Sequence, residues 1–273
     1  RINMKAANPT WDTVADLNCG RTHTQLVVLP DGKVLAVGGD ADACDFEYHA
    51  VLPAELYDPA ADTWTLMAGT NVSRWVHSIA LLLPDGRVLT ANGEPPCEVC
   101  DLCGGLNNYA TEQECLNDPM CNASTCSHWD YCQTCPNADA HPGGETGPAS
   151  SREIFSPPYL FQPNGQPAVR PTITAVSGGN PAEPHTIRYG RRIRITTVSA
   201  QDITKVNLVR LGAVTHGFDQ DQRFVGLKFA VSDPITLNAV GPVSPYIAPP
   251  GYYMLFILDD GVPSVATIVK LEP

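Results

Sequence analysis

Basic residues are scarce in this chain: 17 Lys and Arg stand against 29 Asp and Glu, a formal charge of −12 over 273 residues. With no Lys/Arg cluster to meet phosphates, nucleic acid and anionic membrane surfaces are poor partners. Long apolar runs are missing too. The longest, Ser78–Leu83 and Tyr252–Leu258, are strand-length, far short of the roughly 20 residues that cross a bilayer. No stretch carries the period of an amphipathic helix, which leaves strands as the regular element. The chain opens at Arg1 without a signal peptide, so it reads as processed or cut from something longer.

What is present is a repeat. Aligned on a shared Pro-Asp-Gly, residues 21–39 reappear at 75–93, with His23 on His77, Pro30 on Pro84 and Gly32 on Gly86, each 54 positions apart. Short strands recurring at such a period are the mark of propeller blades, small twisted sheets that cannot bury their faces alone. In each copy a continuously apolar run (Gln25–Leu29, Ile79–Leu83) precedes the turn, as expected of a strand covered on both faces. Asp31-Gly32 and Asp85-Gly86 supply the turn, because glycine accepts the positive φ of a tight hairpin. A further pair of matched segments, Ala54-Glu-Leu-Tyr-Asp-Pro and Arg152-Glu-Ile-Phe-Ser-Pro, ends each copy. Residues 1–17 read as the tail of a preceding blade. About two blades are accounted for, and two do not close a ring.

The spacing exposes an insertion. Gly39 to Glu55 spans 16 residues, whereas Gly93 to Glu153 spans 60. The excess holds eight of the ten cysteines, from Cys97 to Cys135, in a stretch poor in large apolar residues. Such a segment needs staples, so four disulfides are preferred to zinc or iron–sulfur ligation by Cys97, Cys100, Cys103, Cys132 and Cys135. Cys19 and Cys44 stand apart and could pair within the first complete blade. Asn71-Val-Ser and Asn122-Ala-Ser fit the glycosylation sequon. Cysteine density and low lysine content favour a secreted, extracellular or periplasmic protein.

After Pro163-Asn-Gly the rhythm changes. Seven strands are expected: Thr172–Val176, Arg192–Thr197, Lys205–Leu211, Phe224–Val231, Ile235–Ala239, Tyr252–Leu258 and Thr267–Leu271. About 100 residues in that pattern argue for an immunoglobulin-like β-sandwich. Asp219, Asp221 and Arg223 look like an ion-paired loop.

Four stretches carry a family resemblance. Arg74-Trp-Val-His-Ser-Ile-Ala-Leu-Leu-Leu-Pro-Asp-Gly-Arg-Val resembles the last-blade motif of the galactose oxidase and glyoxal oxidase family of copper radical oxidases. Glu153-Ile-Phe-Ser-Pro-Pro-Tyr-Leu-Phe, Val214-Thr-His-Gly-Phe-Asp-Gln-Asp-Gln-Arg, and Ala248-Pro-Pro-Gly-Tyr-Tyr-Met-Leu-Phe followed by Gly-Val-Pro-Ser resemble its carboxy-terminal portion. The resemblance implies an all-β chain. Residues 1–94 would form blades of a partial kelch-type propeller, 95–146 a cysteine-rich insert, 147–170 the end of the last blade, and 171–273 the sandwich. It implies a copper ion held by His77 and His216, which would form the catalytic pair, the second carried on a hairpin from the sandwich. It also implies oxidation of a primary alcohol or aldehyde while O2 becomes H2O2.

One departure is plain. Where the family has a tyrosine before the first histidine, this chain has Val76, which can neither ligate copper nor accept a proton. The family's radical tyrosine and its cysteine partner belong to earlier blades. The expected partner is therefore another polypeptide or precursor fragment that supplies the remaining blades, with an alcohol, an aldehyde or a carbohydrate as the small molecule. The alternative is a non-catalytic structural or binding subunit of an extracellular assembly that keeps the oxidase scaffold. His23, at the repeat position of His77, also admits a plain role as a blade-packing residue.

Overall fold

A computed structural model describes residues 1–39, 51–72, 74, 77–93, 152–178, 180, 182–215 and 217–273. The cysteine-rich stretch, Cys44, Val76, Asn122 and His216 lie outside the described residues, so the readings placed on them are not addressed by it.

The chain is all-β. A four-stranded antiparallel meander comes first: β1 (Gln25–Val28), β2 (Val34–Val37), β3 (Pro53–Asp58) and β4 (Thr63–Gly69). Beside it lies a three-stranded sheet of β5 (Ile79–Leu82), β6 (Val88–Ala91) and β7 (Arg152–Phe155). The two Pro-Asp-Gly turns superimpose bond for bond. Gly32 N–H donates to Leu29 O at 3.0 Å and Gly86 N–H to Leu83 O at 2.9 Å. Asp31 and Asp85 accept the N–H two residues on, at 3.1 and 3.0 Å. Gly32 (φ 93) and Gly86 (φ 82) take the left-handed conformation the turn demands.

Pleating sends alternate side chains to opposite faces. Val27, Leu29, Leu35, Val37, Ala54 and Leu56 of the first sheet meet Ala80 and Val88 of the second in one buried cluster. On the opposite face of the first sheet, Leu26, Ala36, Glu55 and Leu66 lie in one row by register. Arg21 covers its middle, and Ala36 and Glu55 are buried, but Leu26 is 48% and Leu66 57% exposed. Leu26 and Leu66 are thus the open ends of a row whose middle is closed.

The remaining strands are β8 (Ile173–Ser177), β9 (Thr186–Arg188), β10 (Arg192–Thr197), β11 (Ile203–Arg210), β12 (Val214–Thr215), β13 (Phe218–Asp219), β14 (Phe224–Gly226), β15 (Phe229–Asp233), β16 (Thr236–Val240), β17 (Gly251–Asp259), β18 (Val262–Pro263) and β19 (Thr267–Glu272). One sheet runs β15-β16-β10-β8, the other β14-β11-β17-β19-β9, and the pair β12-β13 forms a separate finger. The single strand expected over Phe224–Val231 is two. Leu227 and Lys228 break it, β14 joining one sheet and β15 the other, so the chain changes layers there. The parallel edge strand β9 was not foreseen either; its three residues are too few to show alternation.

Strand β17 organises the molecule. Tyr253, Leu255 and Ile257 enter the sandwich core, while Met254, Phe256 and Leu258 pack on the other face with Val209, Phe224 and the blade residue Leu82. A strand buried on both faces reads as an unbroken apolar run, and each such side chain contributes about 2 kcal/mol. The Pro-Asp-Gly turns rest on this layer. Buried Asn207 donates to Pro30 O at 2.8 Å, and the Phe224 ring lies under Gly32. The second turn receives Ala266 N–H on Pro84 O at 2.8 Å, and Arg170 ties back to Pro263 O and Ser264 O at 2.7 and 2.6 Å.

Candidate functional site

Each blade is closed by the same clasp. Asn18 donates its backbone N–H and side-chain amide to one oxygen of Glu55, both at 2.7 Å. Arg21 forks onto the other oxygen at 2.5 Å and onto Gly38 O at 3.2 Å. In the second blade Asn71 donates N–H and amide to Glu153 Oε1 at 2.8 and 2.7 Å. Arg74 reaches Glu153 Oε2 at 3.1 Å and Asn92 O at 3.0 Å. Asn92 is the repeat counterpart of Gly38, and Glu153 that of Glu55. Burial alone would push both carboxyls up. The hydrogen bonds from asparagine and arginine outweigh it and hold each below its ordinary value. The clasp went unread in the sequence, although Asn18-x-x-Arg21 and Asn71-x-x-Arg74 repeat its spacing. It also engages the amide of the Asn71 sequon.

Each clasp leads into a histidine with a left-handed backbone: His23 at φ 52 and His77 at φ 58. For a residue bearing a Cβ this costs about 1 kcal/mol, although histidine tolerates it better than most. Both histidines are exposed. Thr22 Oγ1 stands 3.3 Å from His23 Nδ1.

The finger from the sandwich lodges between the two blades. Strand β13 lies against both β1 and β5. Gln222 completes the free edge of β1, its Oε1 accepting Val28 N–H at 2.8 Å and its Nε2 donating to Leu26 O at 2.5 Å. Buried Gln25 donates its side-chain amide to Gly217 O. A Cβ on Gly217 would stand 3.7 Å from both N and Cα of His77. The hairpin tip thus meets the backbone of His77, and His216, the residue before Gly217, lies outside the described residues.

The acidic loop below the tip is held differently from expectation. Asp219 accepts Ala213 N–H at 2.9 Å and Asp221 N–H at 3.1 Å, capping the loop. Asp221 pairs with Arg210 at 3.4 Å rather than with Arg223. Arg223 contributes its backbone carbonyl, which accepts Arg210 N–H at 2.9 Å. Among the described residues no three His, Cys, Asp or Glu side chains gather as a metal site, and no helix is long and apolar enough to cross a membrane.

Residues 170–271 match the family model described as galactose oxidase-like, early set domain. A galactose oxidase of Gibberella zeae is 33% identical over 253 residues, covering 92% of this chain and 29% of that protein. An aldehyde oxidase, GLOX, of Vitis pseudoreticulata is 30% identical over 290 residues, covering all of this chain and 45% of that protein. Among solved structures, a fungal alcohol oxidase of the AA5 family in complex with copper aligns with a TM-score of 0.70 at 27% identity, over 97% of this chain and 45% of that one. The chain thus spans less than half the length of these relatives.

Proposed function

We propose that this polypeptide is part of a secreted, copper-dependent oxidase of primary alcohols or aldehydes, a reading supported by the match of its sandwich to the galactose oxidase-like early set model and by its similarity along the chain to a galactose oxidase and an aldehyde oxidase. The observation that carries the reading is the finger: its tip abuts His77, so that one segment of the sandwich and one of the last blade share a single spot near the free edges of β1 and β5. His77 and His216 would hold the ion there. Imidazole is an apt donor for Cu(II), so the residues fit copper in kind. Two donors are short of a complete set, and the rest would come from blades outside this chain.

When bound, copper supplies the redox chemistry by which an alcohol gives up two electrons and two protons to O2, yielding aldehyde and H2O2. The chain's own contribution is positional. The Asn71–Arg74–Glu153 clasp pins the approach to His77, Gln222 and Gln25 pin the finger, and Asp219 caps its base. The exposed apolar residues Leu26, Leu66 and Ile154 on the blade faces support the proposal that further blades cover them, whether from the same precursor or from another polypeptide. Kelch-type blades, secretion and disulfides in the cysteine-rich stretch belong to the same reading.

Val76 favours a second reading. A valine cannot take the proton that an alcohol must shed, so the chain would serve as a non-catalytic scaffold of an extracellular assembly. Metal analysis of the protein encoded by the whole gene separates the two. Copper near one per protomer, lost in His216→Ala, with H2O2 released from a panel of alcohols and aldehydes, supports the oxidase. Absence of both supports the scaffold.

A further inference from the structure

The sheet β15-β16-β10-β8 turns one face to the sandwich core, where Ile193 and Ile195 of β10, Leu237 and Ala239 of β16, and Leu227 and Phe229 are packed. Pleating therefore sends Arg192, Arg194, Asn238, Val240 and Lys228 to the opposite, outer face. Register fixes their places. Arg192 stands opposite Val240 and Arg194 opposite Asn238, and Val240 donates its N–H to Lys228 O at 2.9 Å. Lys228 and Arg192 thus flank Val240 on strands about 4.8 Å apart, and Arg194 follows two residues along. All three cations are exposed, as is Arg191 just before β10.

Carboxylates are set elsewhere. Among the described residues none of these four cations has an ion pair. Asp233 and Asp202 belong to the opposite end of the layer, beyond Thr196 and Thr236. Glu272 is taken by Arg188 and Lys270, and Glu183 acts on Lys270. An apolar ledge borders the strip. The loop of residues 241–250 is tied to the turn before β10: Gly190 N–H donates to Pro242 O at 2.9 Å, Gly241 N–H to Arg191 O at 2.8 Å, and Tyr189 Oη to Ala248 O at 2.7 Å. On that loop Val243 is 73% and Tyr246 92% exposed.

We propose that this face binds a linear polyuronate, a polysaccharide bearing one carboxylate per sugar. Arg192, Arg194 and Lys228 hold carboxylates along the strand, and Tyr246 offers its ring to the C–H face of a sugar. The inference goes beyond the copper reading and is independent of it. Guanidinium forks match carboxylates in shape as well as charge. The chain's overall charge of −12 selects among polyanions. A nucleic-acid duplex or a membrane extends well past the strip and meets the acidic surface around it. A single polysaccharide strand needs only the strip, because charges more than about 8 Å away are screened at physiological salt.

The test is calorimetric titration of the protein encoded by the whole gene with polygalacturonate oligomers, at low and at physiological salt, with neutral dextran as the control ligand. Arg192→Gln/Arg194→Gln removes two charges from the strip. Lys5→Gln/Arg152→Gln removes two from exposed positions elsewhere, and circular dichroism reports the fold of each variant. The expected result is affinity about tenfold weaker in the first variant, the sum of two exposed charge contacts, and unchanged in the second. Tyr246→Ala should weaken binding at both salts without altering its salt dependence; wild-type affinity there overturns the ring's part. A wild type that binds no polygalacturonate, or binds dextran equally, overturns the proposal. So does undiminished affinity in a folded Arg192→Gln/Arg194→Gln variant, equal loss in the control variant, or tighter binding to duplex DNA or phosphatidylserine vesicles. None of these outcomes bears on copper, whose test is separate.

Discussion

The side-chain amide of Asn71 donates to the Glu153 carboxylate at 2.7 Å across 82 positions of sequence. Asn18 makes the same bond to Glu55 at 2.7 Å across 37. The difference in span is the cysteine-rich insertion, and the geometry takes no notice of it. The clasp, rather than the length of the connection, defines where each blade ends.

Removing the charge from one clasp should be costly. Glu153→Gln leaves the Arg74 guanidinium, whose side chain is 1% exposed, buried without its counterion, and about 3 kcal/mol of stability should be lost at neutral pH. The effect carries a pH signature. A carboxyl held below its ordinary value of 4.5 stabilises the fold above that value and ceases to do so as pH falls through its lower folded value. The gap in melting temperature between wild type and Glu153→Gln should therefore narrow progressively as the pH falls below 4.5. A gap that stays constant over that fall would show that the clasp is not ionic.

Gly38 sits where a side chain cannot. At φ 69, a Cβ would lie 2.3 Å from Arg74 O and 2.8 Å from Arg74 Cβ. Gly38→Ala combines left-handed strain with a clash against backbone, and should cost about 3 kcal/mol. Chemical denaturation reads the loss; a change below 1 kcal/mol would mean that the two blades separate freely at this point.

Gln222 serves the free edge of β1 in place of a neighbouring strand. In Gln222→Ala the Val28 N–H loses its acceptor and the Leu26 carbonyl its donor, a loss of about 1–2 kcal/mol. Hydrogen exchange at Val28 should quicken while exchange along β17 stays slow. Equal acceleration at both would mean that the finger is part of one global unfolding unit.

Asn207 is the polar bolt between layers. Asn207→Ala strands the Pro30 carbonyl in a buried position and should cost about 2 kcal/mol. Limited proteolysis near Pro30–Lys33 should then precede cleavage within the sandwich. Unaltered cleavage would assign the seating of the blades to Phe224 and Arg170 instead.

The repeat was legible because its signals are local. Pro-Asp-Gly fixes a turn through the φ of one glycine, and the apolar runs around it state strand and return. The matched Glu55 and Glu153 were visible as a repeat, but their role was not, since a carboxylate's partners lie tens of residues away. In the sandwich, strands such as Arg192–Thr197 and Thr267–Glu272 could be read from composition and turn punctuation. Strand β9 is too short to announce itself, and the break at Leu227–Lys228 is marked only by Gly226, the last residue of β14.

From the order of residues alone came the all-β class, the paired hairpins and the insertion, because propensity and spacing act over a few positions of chain; His77 and His216 were singled out by the resemblance of their motifs to a family. Folding in three dimensions decided that Asn207 donates to Pro30 O, that Gln222 serves the free edge of β1, and that the finger's tip rests against His77. Those outcomes depend on which surfaces meet when layers pack, and contacts between segments more than a hundred residues apart leave no periodic trace in either one.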